Sequence, residues 1–172
     1  GHKQGGRAFA CDRIGLEPMD EGPANVDPLP LERAVQRDPG NPELFKSLGN
    51  ARKAAGDLEG AAASYRRALE IEPDHLTSHY NLGLVLRQLN RLEEAERHFR
   101  RVHEADPGDA DALFHLGSLL SEQSRFTEAA RMYQDALRQR PENPYLWMRL
   151  GVVCQELPGQ LEEAARCLRR SI

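Results

Sequence analysis

From Asn41 onward, apolar residues recur three and four positions apart, in runs of helical length. Short polar segments holding glycine, asparagine or proline break the runs. Such spacing winds into helices that each carry one apolar stripe. Two kinds of run alternate. One holds Phe45, Leu48, Gly49 and Ala55; the next holds Leu58, Ala61, Ala62, Tyr65, Ala68 and Leu69. Asn41-Pro42 reads as an N-cap followed by proline at the first helical position. Gly56-Asp57 ends one helix and begins the next, with glycine supplying the left-handed turn. Pro73 stops the second helix. Asn143-Pro144 repeats the opening device, and Asp109-Ala110 is a weaker version of it.

The pattern repeats. Pro39, Pro73, Pro107 and Pro141 stand 34 residues apart. Leu48-Gly49, Leu82-Gly83, Leu116-Gly117 and Leu150-Gly151 keep the same period, as do Ala61, Ala95 and Ala129, and Tyr65, Phe99 and Tyr133. A period shared by four residue classes marks a repeat architecture. Gly49, Ala61 and Ala68 let two helices approach closely, with Tyr65 and Phe45 filling the space on either side. One helix pair cannot bury its apolar face alone, so neighbouring pairs must stack.

One unit reads Phe45, Leu48-Gly49, Ala61, Tyr65, Ala68, Pro73, and another Leu113, Leu116-Gly117, Leu120, Ala129, Tyr133, Ala136, Pro141. Between them, His79 takes the bulky position and Val102 that of the last alanine. The final unit begins with Trp147 and Leu150-Gly151, gains one residue around Pro158-Gly159, and so places its alanine at Ala164. This order resembles the tetratricopeptide repeat family over about residues 28–172. The resemblance implies an all-α fold: a right-handed superhelical solenoid of antiparallel helix pairs with a concave inner face. Residues 26–40 are expected to form the second helix of an incomplete N-terminal repeat. Residues 41–172 are expected to hold three complete repeats and a truncated fourth. Residues 1–25 lack the period and are expected to be coil. Ile172 falls inside an apolar stripe, so the natural chain is expected to continue.

Composition narrows the function. The 172 residues are 40% hydrophobic, 29% charged and 6% aromatic, with a net charge of −4. That charge does not suit a binder of phosphate backbones. No run approaches the roughly 18 apolar residues of a membrane span. Three cysteines do not make a disulfide framework, and a reducing, cytoplasmic location is expected. Asp111, His115 and Ser118 share one helical stripe. Side chains leaving one helix in parallel do not converge as a catalytic triad must, so no enzyme is expected. His75 and His79, four apart, lack a third ligand at a recognised spacing, so no metal or other cofactor is expected. Cys154 and Cys167 read as buried thiols. The pairs Arg66-Arg67, Arg100-Arg101 and Arg169-Arg170 read as a solvated outer face, with Glu96 placed to pair with Arg100 and Glu162 with Arg166.

The concave face remains as the candidate site. The free stripe of the first helices carries Lys46, Asn50 and Lys53, then Tyr80, Asn81, Leu84 and Arg87, then Phe114 and His115, then Tyr145, Met148 and Arg149. Tyr80, Phe114 and Met148 keep the period and are expected to form an apolar row that anchors a ligand. Within the family, domains that bind chaperone C-termini use a carboxylate clamp. Lys46, Asn50 and Asn81 match its first positions, while Asp111 and His115 replace its last two cations. The resemblance implies a protein-interaction module that holds a peptide or partner protein in its groove. Alternatives are the non-catalytic arm of a larger enzyme, such as a glycosyltransferase or sulfotransferase, and a scaffold self-associating through its terminal repeats or residues 1–25. Neither nucleic acid nor membrane is expected as a partner.

Overall fold

The computed structural model describes residues 27–172. Among them are nine helices and no strand: α1 Pro28–Arg37, α2 Pro42–Ala54, α3 Leu58–Ile71, α4 Leu76–Gln88, α5 Leu92–Ala105, α6 Ala110–Glu122, α7 Phe126–Gln139, α8 Pro144–Gln155 and α9 Leu161–Arg170. The caps explain the starts. The side chain of Asn41 accepts from the Glu43 N–H at 3.1 Å, and that of Asn143 from the N–H groups of Tyr145 and Leu146, each with proline at the first helical position. Asp57 and Asp109 cap α3 and α6 in the same way. His75 precedes α4, its Nδ1 accepting from the Ser78 N–H at 3.2 Å.

Gly56 sits in the left-handed region, with φ 82°. The same turn recurs at Asn90 and Ser124 (φ 58° and 60°) and, after the extra residue of the last unit, at Gly159. One turn geometry thus separates the two helices of all four pairs, α2–α3, α4–α5, α6–α7 and α8–α9.

Each second helix also packs on the next first helix, and α1 packs on α2. The backbones of successive first helices α2, α4, α6 and α8 approach each other closely, whereas among the described residues those of the second helices stand farther apart and are bridged by side-chain pairs such as Arg66–Glu94 at 3.3 Å. First helices therefore line the inner curve of the solenoid and second helices the outer one. The Leu-Gly pairs set the spacing. A Cβ on Gly49 would lie 2.5 Å from the Tyr65 ring, and one on Gly83 2.9 Å from that of Phe99. In the last pair Leu168 takes the place of the aromatic, 2.8 Å from a Cβ on Gly151. Tyr65, Phe99 and Tyr133 are fully buried; a side chain such as Phe99 contributes about 2–3 kcal/mol by leaving water.

Ion pairs span the outer surface. Arg125, just before α7, bonds Glu128 and Glu96 at 2.7 Å, and Arg91, one period earlier, bonds Glu94 at 2.7 Å and lies 3.6 Å from Glu59. The expected Glu96–Arg100 pair forms at 2.6 Å. Arg166 pairs with Glu163 at 2.5 Å rather than with Glu162, one turn of helix bringing the nearer acid within reach. No helix among the described residues is long and apolar enough to cross a membrane.

Candidate functional site: the concave face

The inner curve is closed by a seam of rings. Tyr80 and Phe114 are each only 7% exposed. Tyr80 stands edge-on to Phe99 at 5.9 Å and to His115 at 5.5 Å. Phe114 meets His115 edge-on at 5.0 Å and Tyr145 at 5.3 Å. This corrects the expectation of an exposed apolar row. Because adjacent first helices touch, rings at this register fill the joint between them instead of facing a ligand. Met148, which keeps the same period, stays half-buried, as do Leu84 and Tyr145.

The polar residues of the same stripe turn inward as well. Asp111, 7% exposed, accepts two bonds from the Arg140 guanidinium at 2.7 and 3.0 Å. The Ser118 hydroxyl bonds the Tyr133 hydroxyl at 3.0 Å. His115 stacks on Phe99 at 5.5 Å, and its Nδ1 is buried without a hydrogen-bond partner among the described residues. Burial, with the nearby Arg87 charge, pushes its imidazole down to about 4 against the pull of Asp111. Asp111, His115 and Ser118 are thus each engaged with a different partner.

At the N-terminal end, Glu43 is shared. It pairs with Lys46 at 2.8 Å and with His75 Nε2 at 2.7 Å. The Lys46 ammonium, then His75, hold its carboxyl below the usual range. The Asn50 Oδ1 accepts from the Tyr65 hydroxyl at 2.6 Å and, more distantly, from the Asn81 amide at 3.4 Å. Asn81 is buried, and it fixes Asn50 rather than facing the groove. Arg87 makes a forked pair with Glu122 across the α4–α6 joint, its Nε at 3.0 and 3.2 Å from the two carboxylate oxygens. Half-buried Arg149 bonds the Tyr133 hydroxyl at 3.3 Å and lies over that ring at 5.9 Å. Neither Arg149 nor Lys53 pairs with a carboxylate among the described residues.

The sequence reading places Glu43 on this stripe without its partner, and it missed His75, Glu122 and Arg140 as shapers of the face. Each reaches a partner about one repeat away, a relation that spacing within a helix does not reveal. His79 bonds His98, Nδ1 to Nδ1, at 2.9 Å and the Pro73 carbonyl at 2.8 Å, so it packs the joint between α4 and α5. Cys154 and Cys167 are buried free thiols. Residues 1–25 lie outside the described residues.

The sequence profile of the tetratricopeptide repeat family matches residues 46–110 and 114–172. A TPR repeat-containing protein of Pseudomonas aeruginosa is 37% identical over 62 residues, 36% of this chain. The match spans 59% of that protein's length. Among solved structures, a crystal structure of MamA superposes with a TM-score of 0.80 at 18% identity over 84% of each chain. MamA from Desulfovibrio magneticus RS-1 superposes with a TM-score of 0.79 at 22% identity, over 84% of this chain and 81% of that one. At these identities the structural likeness establishes the all-α solenoid.

Proposed function

The chain belongs to the tetratricopeptide repeat family, and we propose that this protein-interaction module holds an extended, acidic segment of a partner protein along its concave face. The observation that carries the reading is the imbalance of charge there. Lys46, Arg87 and Arg140 each have a carboxylate, in Glu43, Glu122 and Asp111. Lys53 and Arg149 have none among the described residues. A half-buried guanidinium bonded only to a phenol is a strong point for a ligand carboxylate, because charge-assisted bonds are the strong ones. Tyr145, one turn before it on α8, supplies apolar contact beside it.

Lys46 and Asn50 form a secondary contact in this reading. A ligand carboxylate at Lys46 has to displace Glu43, which weakens that end of the groove relative to α8. Asn50 keeps its Nδ2 as a donor, because the Tyr65 hydroxyl fixes the amide oxygen. The outer arginines pair with acids, which supports protein rather than nucleic acid as the partner. Two buried thiols support a reducing, cytoplasmic setting.

Selection of displayed peptides on the intact chain tests the reading. Selected peptides should combine acidic with apolar residues, and Lys53→Glu and Arg149→Glu should each weaken them about tenfold, an effect that added salt reduces. Selection of peptides without acidic residues, bound equally by both variants, would contradict it.

A further inference from the structure

The first joint of the solenoid is left unfilled. Between α1, α2 and α3 lies a cavity of about 380 Å³. Val35 of α1, Phe45 and Leu48 of α2 and Ala63 of α3 give it apolar walls, and Arg52 and Ser64 give it polar ones. All three helices belong to this chain, and the same joint recurs as α3–α4–α5 and α5–α6–α7. At those joints larger side chains take the space. Ser64 stands in the register of His98, which bonds His79 at 2.9 Å, and of Met132, which packs against the core. Ala63 stands in the register of Arg97 and Arg131.

The first joint also differs in charge. Arg52 takes the register of Leu86 and Leu120, both buried in the core. Small residues alone would leave an apolar hollow, and a hollow costs stability. Here the space and a guanidinium arrive together. Arg52 is held in place without being used up. Its Nη1 donates to the Ser64 hydroxyl at 3.0 Å and to the Gly60 carbonyl at 3.3 Å, and its Nη2 donates to Glu32 at 2.8 Å. Its Nε–H has no partner among the described residues. Arg67, paired with Glu70 and lying over the Phe45 ring at 5.7 Å, adds a second guanidinium to the lining. Glu32 is the one carboxylate among the lining residues, so the cavity favours a further negative charge.

We infer that this cavity is a second binding site, for a small-molecule carboxylic acid with an apolar body. The carboxylate bonds the free donor edge of Arg52, and the body lies among Val35, Phe45 and Leu48. Apolar walls with a few placed polar groups, around a volume of a few hundred Å³, are what such ligands need. The site is separate from the concave face and does not depend on what that face holds.

Titration of the isotope-labelled 172-residue chain with 3-phenylpropionate tests it. Resonances of Val35, Phe45, Leu48 and Ala63 should shift and saturate, with half-saturation at or below about 1 mM. The neutral amide of the same shape, 3-phenylpropanamide, should bind about tenfold more weakly. Arg52→Leu, which copies Leu86, should abolish that preference for the acid. Ala63→Arg, at an exposed position where α5 and α7 already carry arginine, and Ser64→His, which copies His98, should each weaken the acid at least tenfold by filling the space. No saturable shift at these residues, equal binding of acid and amide, or binding indifferent to both filling variants would overturn the inference. So would an acidic, apolar peptide that shifts these residues where the small acid does not, because a partner protein would then be the occupant.

Discussion

His115 shows how the solenoid changes the chemistry of a single side chain. On one helix it reads as a groove residue beside Asp111. Stacking of the units sets it between Phe99, Tyr80 and Phe114 and lowers its imidazole to about 4. Burial and the neighbouring His79 lower His98 to about 4 as well. Both histidines are neutral in the folded chain at pH 6.5, whereas in the unfolded chain they begin to protonate there. Between pH 6.5 and 4 the unfolded state therefore binds more protons, and stability falls as pH falls. For His115 the loss reaches on the order of 3 kcal/mol at pH 4. Glu43, Glu96 and Glu128, lowered in the fold, add their losses below about pH 4.5. His115→Phe should flatten the urea-unfolding free energy between pH 6.5 and 4.5 by about half. An unchanged slope would place the titrating group elsewhere.

At the scale of helices and turns, the left-handed junction recurs in all four pairs, but only two of them use glycine. Asn90 tolerates the conformation, whereas Ser124 has a Cβ and no side-chain bond to offset it. Ser124→Gly should raise stability by about 0.5 kcal/mol in urea unfolding; a loss of stability would mean that the serine holds the turn. Helix pairs, caps and the Gly56 turn were legible in the sequence because each depends on residues within one unit. The ring seam was not. Tyr80 and Phe114 occupy the inner stripe of their helices, and only the contact between successive first helices shows that this stripe is partly joint. The pairs Asp111–Arg140 and Glu43–His75 were hidden for the same reason, since each crosses from one unit to the next.

Across the whole molecule the two surfaces divide the work. Along α3, α5 and α7 the outer curve carries arginines such as Arg66, Arg100, Arg101 and Arg125 paired with acids, and the inner curve carries cations that its own acids do not fully match. The stacked units make the inner curve continuous, so that Lys53 on α2 and Arg149 on α8 belong to one face although they lie nearly a hundred residues apart in sequence. The central claim is that an acidic partner segment lies along this face. The most direct test is to titrate a selected acidic peptide into isotope-labelled chain and follow the amide and methyl resonances. The account predicts shifts concentrated at Lys53, Leu84, Arg87, Tyr145, Met148 and Arg149. Shifts confined to the outer arginines of α5 and α7, or to α9, would contradict it.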